Sequence, residues 1–357
     1  MKKIIITFVA ALVLIIGMVV LLLASSKRER PAPPVAERPL PAMLKDPVFT
    51  ADLNSSRRRG PGGIAIVAPA SGLKGESVRR VHEYAEALGV RFRDDALAPE
   101  TVPYTANSDE QRLEQLYQAM TDDNTEVLWA MRGGYGVSRI LPELDRLPKP
   151  KSPKLFVGYS DMTFLHLFLR KWNWKTIHGG MLWELGSPEK DPESFRLLSG
   201  LLSGRIWELR YEGLKPFNRA ADDQKDPLEA PITGGNLTCI AAAAGTPWAL
   251  DAANRILLLE DTKERGYKID RMLTQLRQAG QLQGVRAVIL GNFSAGDDQL
   301  EFALERFAGE CEAPVFRTDL FGHGPKNHPV VFNTPASLIR NDGDGSFTLV
   351  IETGMLP

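Results

Sequence analysis

The sequence predicts an α/β protein of two domains, and three observations support this prediction. The chain has 357 residues, which at about 150 residues per domain is enough for two hydrophobic cores. Hydrophobic residues make up 43% of the chain and charged residues 24%, a composition typical of folded proteins. Short apolar runs alternate with amphipathic segments along most of the sequence, as strands and helices do in α/β folds.

The first 60 residues differ from the rest. Residues 4–24 carry no charge and, at 1.5 Å per residue, would form a helix of roughly 32 Å, enough to cross a bilayer. Residues 1–26 are therefore predicted to be a transmembrane anchor or uncleaved signal, and residues 27–60 a proline-rich tether. Basic residues flank the apolar segment on both sides, which leaves its orientation open. We expect an inner-membrane anchor with the body of the protein in the periplasm; the alternative is a body facing the cytoplasm.

Residues 61–205 are predicted to form an N-terminal domain with a Rossmann-like parallel sheet. The apolar, β-branched run at residues 64–68 ends at Pro69 and is typical of a buried parallel strand. Further strands are predicted at 127–130 and 155–157, and helices at 76–88, 108–120, 138–144 and 161–171. Because strands and helices alternate, we expect helices on both faces of the sheet.

Residues 206–230 are predicted to be an interdomain linker, since the segment around them is rich in proline and charge and weakly periodic. Residues 231–357 are predicted to form a C-terminal α/β domain. Strands are predicted at 255–259 and 287–290, helices at 236–244 and 269–279, and an antiparallel strand pair within 337–353. A ligand site is expected between the two domains.

Composition and motifs exclude several classes of function. The 43 Lys and Arg residues are balanced by 44 Asp and Glu, without the basic excess of a nucleic-acid-binding protein. Two cysteines, Cys239 and Cys311, are too few for a disulfide scaffold or a cysteine-rich metal site. The five histidines lack the HExxH spacing of zinc enzymes. We expect no metal, no cofactor and no nucleic-acid partner.

Two segments of the predicted N-terminal domain are candidates for a reactive site. Ser160 lies in a turn between a predicted strand and helix, where backbone N–H groups and the helix dipole favour developing negative charge. This position suits a nucleophile, but its spacing alone favours a simple helix N-cap. Gly133, Gly134 and Gly136 follow a predicted strand and can bring backbone N–H groups close to an oxyanion or a phosphate, or form a structural turn. The cluster lacks the Lys-Ser/Thr of a P-loop and the full dinucleotide-binding pattern.

The second half of the sequence contains candidates for an acidic and a basic residue of the site. Glu260 and Asp261 end a predicted buried strand, where a carboxylate can orient a histidine or form a salt bridge with a nearby arginine. His323 lies between two glycines in a loop, which suits an exposed general base. His328 is the competing candidate, although the proline after it indicates the start of a strand.

Seven segments together resemble the LD-carboxypeptidase family of serine peptidases, which includes the muropeptide LD-carboxypeptidases and the microcin C self-immunity hydrolases. The matching segments are IAIVAPAS, NSDEQRLEQL, MRGGYGVSRIL, FVGYSDMTFL with HGGM, TGGNLTCI with GTPW, LLLEDTKERGYKIDRML, and GHGPKN. They run in the family's order over most of the body. Two segments depart from the pattern: HGGM replaces the commoner HGPM, and Asn333-Thr334-Pro335 stands where Pro-x-Gly is usual.

The resemblance implies roles for particular residues. Ser160 would be the nucleophile, His323 the base and Glu260 its orienting acid, with an oxyanion hole from the N–H of Asp161 and that of Gly133 or Gly134. It also implies a homodimer and a substrate, a muropeptide or peptidoglycan stem peptide.

The activity implied is hydrolysis, through an acyl-enzyme, of the L,D-amide bond that releases terminal D-Ala from murein tetrapeptides during peptidoglycan turnover or recycling. One alternative is hydrolysis of aminoacyl-nucleotide amides, which would give immunity to a microcin C-like antibiotic. Another is an anchored muropeptide sensor without catalytic activity.

Overall fold

The computed structural model describes residues 63–88, 102–294 and 296–354. The predicted anchor and tether lie outside the described residues. Within the described ranges, no helix combines the length and the apolar character needed to span a bilayer.

The first part of the fold is a sheet of five strands in the order β1-β2-β3-β4-β10. The first four strands are parallel, and β10 pairs antiparallel with β4. The strands are β1 Ile64–Val67, β2 Val127–Ala130, β3 Leu155–Gly158, β4 Thr176–His178 and β10 Val330–Phe332. The predicted parallel sheet is thus confirmed, with one antiparallel strand added from the far end of the chain.

The helices that connect the first four strands lie where the apolar periodicity predicts them, whereas the helix after β4 is not predicted from the sequence. Helix α2 begins after Ser108, whose side chain accepts a hydrogen bond from the Gln111 N–H, as a helix N-cap does. The helices of this part are α1 Glu76–Leu88, α2 Asp109–Thr121, α3 Val137–Leu144, α4 Thr163–Lys171 and α5 Pro192–Leu202.

The second part is a closed barrel of seven strands in the order β11-β12-β5-β9-β8-β7-β6. Strands β6, β7, β8 and β9 run parallel to one another, and the remaining pairs are antiparallel. The strands are β5 Glu208–Pro216, β6 Leu228–Asn236, β7 Ile256–Thr262, β8 Ala287–Ser294, β9 Val315–Gly322, β11 Pro335–Arg340 and β12 Phe347–Glu352. Its helices are α6 Arg219–Asp223, α7 Leu237–Ala242, α8 Gly266–Gln278 and α9 Leu300–Glu310. The predicted antiparallel pair near the end of the chain is confirmed as β11 and β12.

The segment 206–230, expected to be a linker, contains β5, α6 and the start of β6. In β5, buried and exposed positions alternate, but two exposed residues in succession interrupt the alternation that would predict a strand. It becomes a strand because its backbone pairs with β9 and β12, which lie about a hundred residues further along the chain.

The two parts pack as one body with shared cores. One buried cluster joins Trp129 of β2, Phe332 of β10 and Phe347 of β12. A second cluster joins Phe156 of β3 to Leu259 of β7. The hydrophobic effect that stabilises each sheet therefore also fixes one sheet against the other.

A glycine in β6 allows two barrel strands to approach closely. A Cβ added at Gly234 (φ +143°) would lie 1.9 Å from the Leu258 carbonyl oxygen of β7. We expect Gly234→Ala to lower the free energy of unfolding by at least about 3 kcal/mol, since a backbone clash adds to the cost of the positive φ. The control is Gly213→Ala, which has φ +79° but open space around it, and should cost about 1–2 kcal/mol. Chemical denaturation followed by circular dichroism measures both, and equal losses would contradict the packing described.

Candidate active site

Ser160 occupies a strained position between β3 and α4. It begins a short 3-10 turn, Ser160–Met162, and its φ is +63°. Residues other than glycine rarely adopt this conformation, and functional sites are where it accumulates. The N-cap positions of the turn and of α4 are occupied by Tyr159 and Met162, so the alternative that Ser160 is a helix N-cap does not hold.

Gly133 lies directly against the Ser160 side chain. A Cβ at this glycine would be 2.9 Å from the Ser160 Cβ and 3.0 Å from its Oγ. Gly134 (φ +113°) packs on Ser71, where a Cβ would come within 2.2 Å of the Ser71 Oγ. A Cβ at either position would therefore displace a neighbouring side chain, and Gly133 is the glycine of this loop that borders Ser160.

Three side chains hold this glycine loop in place. The Asp161 carboxylate accepts a hydrogen bond of 2.9 Å from the Val137 N–H at the start of α3. The buried guanidinium of Arg112 donates to the Gly136 carbonyl at 2.9 Å. Ser71 Oγ accepts a hydrogen bond of 3.0 Å from the Tyr135 N–H. No local pattern in the sequence distinguishes Arg112 or Ser71, because each acts on residues distant in sequence.

Glu260 and His323 form a hydrogen-bonded pair. Glu260 lies in β7 and is fully buried, and its Oε2 is 2.6 Å from His323 Nδ1. Burial opposes ionisation of Glu260, but the charge of His323 and this hydrogen bond lower the carboxyl pKa overall. Burial also opposes protonation of His323, and here Glu260 outweighs it, so the imidazole pKa is raised. Both shifts favour the ionised carboxylate next to a basic imidazole.

The two competing candidates from the sequence, Asp261 and His328, have other hydrogen-bond partners. Asp261 accepts hydrogen bonds of 2.8 Å from the backbone N–H and hydroxyl of Thr238 at the start of α7. His328 Nε2 is 3.2 Å from an oxygen of Asp191. Both side chains thus bind structural partners, and of the two carboxylates that end β7, Glu260 is the one bound to His323.

Contacts of neighbouring residues bring Ser160 to the Glu260–His323 pair. The ring of Tyr159 packs against the ring of His323, with the two centroids 4.7 Å apart and the planes tilted by 54°. On the other side, the Cys239 Sγ donates to the Ser160 carbonyl at 3.7 Å. The site therefore forms where the first sheet, which carries the serine, meets the barrel, which carries the glutamate and the histidine.

Four further side chains lie around this site and were not found from the sequence. They lie close to the imidazole of His323, and they are the buried residues Tyr159, His178 and Glu184 and the partly buried Lys190. Within residues 63–88, 102–294 and 296–354, no group of three or more His, Cys, Asp and Glu side chains is arranged to hold a metal ion.

A strained serine and a buried carboxylate–histidine pair, connected through the contact of Tyr159 with His323, are groups that serine hydrolases use. Models of the LD-carboxypeptidase N-terminal and C-terminal domains match residues 64–179 and 229–338. The chain belongs to the LD-carboxypeptidase family, and the resemblance noted in the sequence is confirmed.

Individual relatives agree with this assignment. A Rickettsia conorii protein is 38% identical over 279 residues, which are 78% of this chain and 88% of that protein. The murein tetrapeptide carboxypeptidase of Pseudomonas aeruginosa is 32% identical over 296 residues, 78% of this chain and 94% of its own length.

Solved structures are similar over nearly their whole length. The muramoyltetrapeptide carboxypeptidase from Oxalobacter formigenes has a TM-score of 0.71 at 28% identity, covering 83% of this chain and 99% of that chain. The microcin C7 self immunity protein MccF, in complex with aspartyl sulfamoyl adenosine, has a TM-score of 0.70 at 16% identity, covering 83% and 97%. The similarity to MccF shows that this protein and MccF share a fold.

The burial of Asp161 generates a prediction about stability and pH. Burial raises the Asp161 pKa to about 6, against the hydrogen bond from Val137 and the charge of Arg112. The folded state therefore binds a proton more tightly than the unfolded chain, and this residue makes the protein less stable as pH rises from about 4 to about 6.

Asp161→Asn keeps a carbonyl oxygen for the Val137 N–H and cannot ionise. Relative to wild type, we expect the variant to gain on the order of 2–3 kcal/mol of unfolding free energy between pH 4 and pH 8. Urea denaturation of both proteins at each pH measures the difference. A difference that does not change with pH would show that Asp161 is not buried as described.

Proposed function

We propose that the protein is a serine carboxypeptidase that removes terminal D-Ala from murein tetrapeptides. The observation that carries the proposal is the Glu260–His323 hydrogen bond of 2.6 Å beside a serine with a φ of +63°. Family membership supports it, as do the names of relatives such as the murein tetrapeptide carboxypeptidase of Pseudomonas aeruginosa.

The proposed reaction begins with proton transfer. Glu260 engages Nδ1 of His323, which leaves Nε2 to take the proton of the Ser160 hydroxyl. Ser160 Oγ then attacks the amide carbonyl between the L-configured centre of a diamino acid and D-Ala. The N–H of Asp161 and that of Gly133 or Gly134 would bind the resulting oxyanion.

The second half of the reaction returns the proton. His323 protonates the amine of D-Ala, which leaves, and the tripeptide remains as an ester on Ser160. Water, deprotonated by His323, hydrolyses this ester and restores the serine. The raised pKa of His323 favours the first proton transfer, because the imidazole then holds the serine proton more strongly.

The test is release of D-Ala from a purified murein tetrapeptide by the full-length chain. We expect Ser160→Ala to lower kcat by at least about 10³-fold, leaving only binding and oxyanion stabilisation. Ser152→Ala, at an exposed serine in a loop, should retain wild-type activity.

Other results would favour the alternatives. Hydrolysis of an aminoacyl sulfamoyl nucleoside without D-Ala release would indicate an immunity hydrolase instead. Tetrapeptide binding without turnover of either substrate would indicate a sensor. Full activity of Ser160→Ala would exclude Ser160 as the nucleophile.

Location and assembly are further parts of the proposal. The uncharged segment at residues 4–24 supports an anchor in the inner membrane, with the body in the periplasm close to its substrate. The family resemblance supports a homodimer. Cell fractionation and light scattering of the purified protein test these two points separately.

A further inference from the structure

An ion pair of buried Glu184 with partly buried Lys190 lies close to the imidazole of His323. Glu184 belongs to a short 3-10 turn, Leu182–Glu184, after β4, and 2% of its side chain is exposed. Lys190 precedes α5, and its Nζ is 3.1 Å from Glu184 Oε1. The reaction described above uses neither side chain.

Both carboxylate oxygens of Glu184 are engaged. Oε1 accepts a hydrogen bond of 2.6 Å from the Tyr159 hydroxyl, in addition to the ion pair. Oε2 accepts one of 3.0 Å from the Met181 N–H. A buried carboxylate with these partners is fixed in position, and it in turn fixes the ring of Tyr159.

Two contacts connect this ion pair to His323 and its loop. The Tyr159 ring, held by Glu184, packs against the imidazole with centroids 4.7 Å apart. Lys190 Nζ donates to the carbonyl of Gly324, the residue after His323, at 3.0 Å. Glu260 binds only one edge of the imidazole, so these contacts restrict the motions of the ring that Glu260 leaves free.

We propose that Glu184 and Lys190 are positioning residues of the carboxypeptidase reaction, which hold His323 toward Ser160 through Tyr159 and the Gly324 carbonyl. The inference rests on the proposed function for its kinetic consequences. Its structural content, an imidazole bound by Glu260 and packed against a tyrosine ring that Glu184 holds, does not depend on the substrate.

The charges facing His323 make the inference testable by pH. The titratable groups around the imidazole are Glu260 from β7, His178 from β4, Tyr159 after β3, and the Glu184–Lys190 pair. Burial lowers the pKa of His178 to about 4, and burial followed by the charge of Glu184 keeps the pKa of Tyr159 well above its ordinary value. Near neutral pH, the charges acting on His323 are therefore those of Glu260, Glu184 and Lys190.

The members of the ion pair act on His323 in opposite directions. After the larger effects of burial and of Glu260, Glu184 raises the imidazole pKa and Lys190 lowers it. The acid limb of kcat/KM reports the pKa of the base in the free enzyme. Glu184→Gln should therefore move this limb to lower pH and Lys190→Met to higher pH, each by roughly half a pH unit.

The experiment measures kcat, KM and the pH profile of D-Ala release with the full-length chain. We expect kcat to fall about 10- to 100-fold in Glu184→Gln and Lys190→Met, with KM changed less than about threefold, because misplacing a catalytic group by less than 1 Å has costs of this size. Lys190→Arg should recover most of the activity. The control is Asp145→Asn, which removes an ion pair with Lys171 outside the site and should leave both readouts unchanged.

A second readout needs no substrate. NMR titration of the imidazole, assigned by comparison with His323→Gln, should show its pKa shifting in opposite directions in Glu184→Gln and Lys190→Met. Variants that lose only thermal stability, with the wild-type acid limb and titration midpoint, would overturn the inference. If Glu184→Gln does not fold, the direction of the Lys190→Met shift decides. If the wild type releases no D-Ala, the proposed function fails, while this titration still tests the positioning.

Discussion

The hydrogen bond between Glu260 and His323 is the interaction on which the site depends, and the barrel is shaped to allow it. Glu260 belongs to β7 and His323 directly follows β9, and β8 lies between these two strands. Pairing registers shift next to Glu260 and between Leu290 and Asn292, so the strands bulge at this level. Two glycines leave space for the Glu260 side chain. A Cβ at Gly322 would lie 2.8 Å from Glu260 Oε2, and one at Gly291 would lie 3.4 Å from the Glu260 Cβ.

The serine is aligned with this pair through packing between the two sheets. Thr163, at the start of α4, accepts a hydrogen bond of 2.9 Å from the Asn236 N–H at the end of β6. Gly235 allows this contact, since a Cβ there would lie 2.5 Å from the Thr163 Oγ1. The nucleophile and the base thus come from different sheets, and the close approach of α4 to β6 fixes the distance between them.

The sequence predicts the parts of this site that have a local signal. Ser160 follows a buried strand, Glu260 ends another, and His323 stands between glycines, so each can be found from its immediate neighbours. The sequence does not predict what depends on distant pairing: closure of the barrel by β5, the fifth strand of the first sheet, or the contact of Lys190 with Gly324, 134 residues away. Lys190 lies in a weakly periodic segment, where nothing local distinguishes it from a surface lysine.

The central claim is that Glu260, acting through His323, activates Ser160, and reaction with an alkyl fluorophosphonate tests it without any assumption about the natural substrate. Mass spectrometry of the intact protein should show a single adduct. After digestion, the adduct should be found on the peptide that contains Ser160. Glu260→Gln, which leaves the serine in place, should form the adduct at least about 100-fold more slowly, because the imidazole loses the group that orients it. An adduct on a different residue, or equal rates of labelling in the two proteins, would contradict the account.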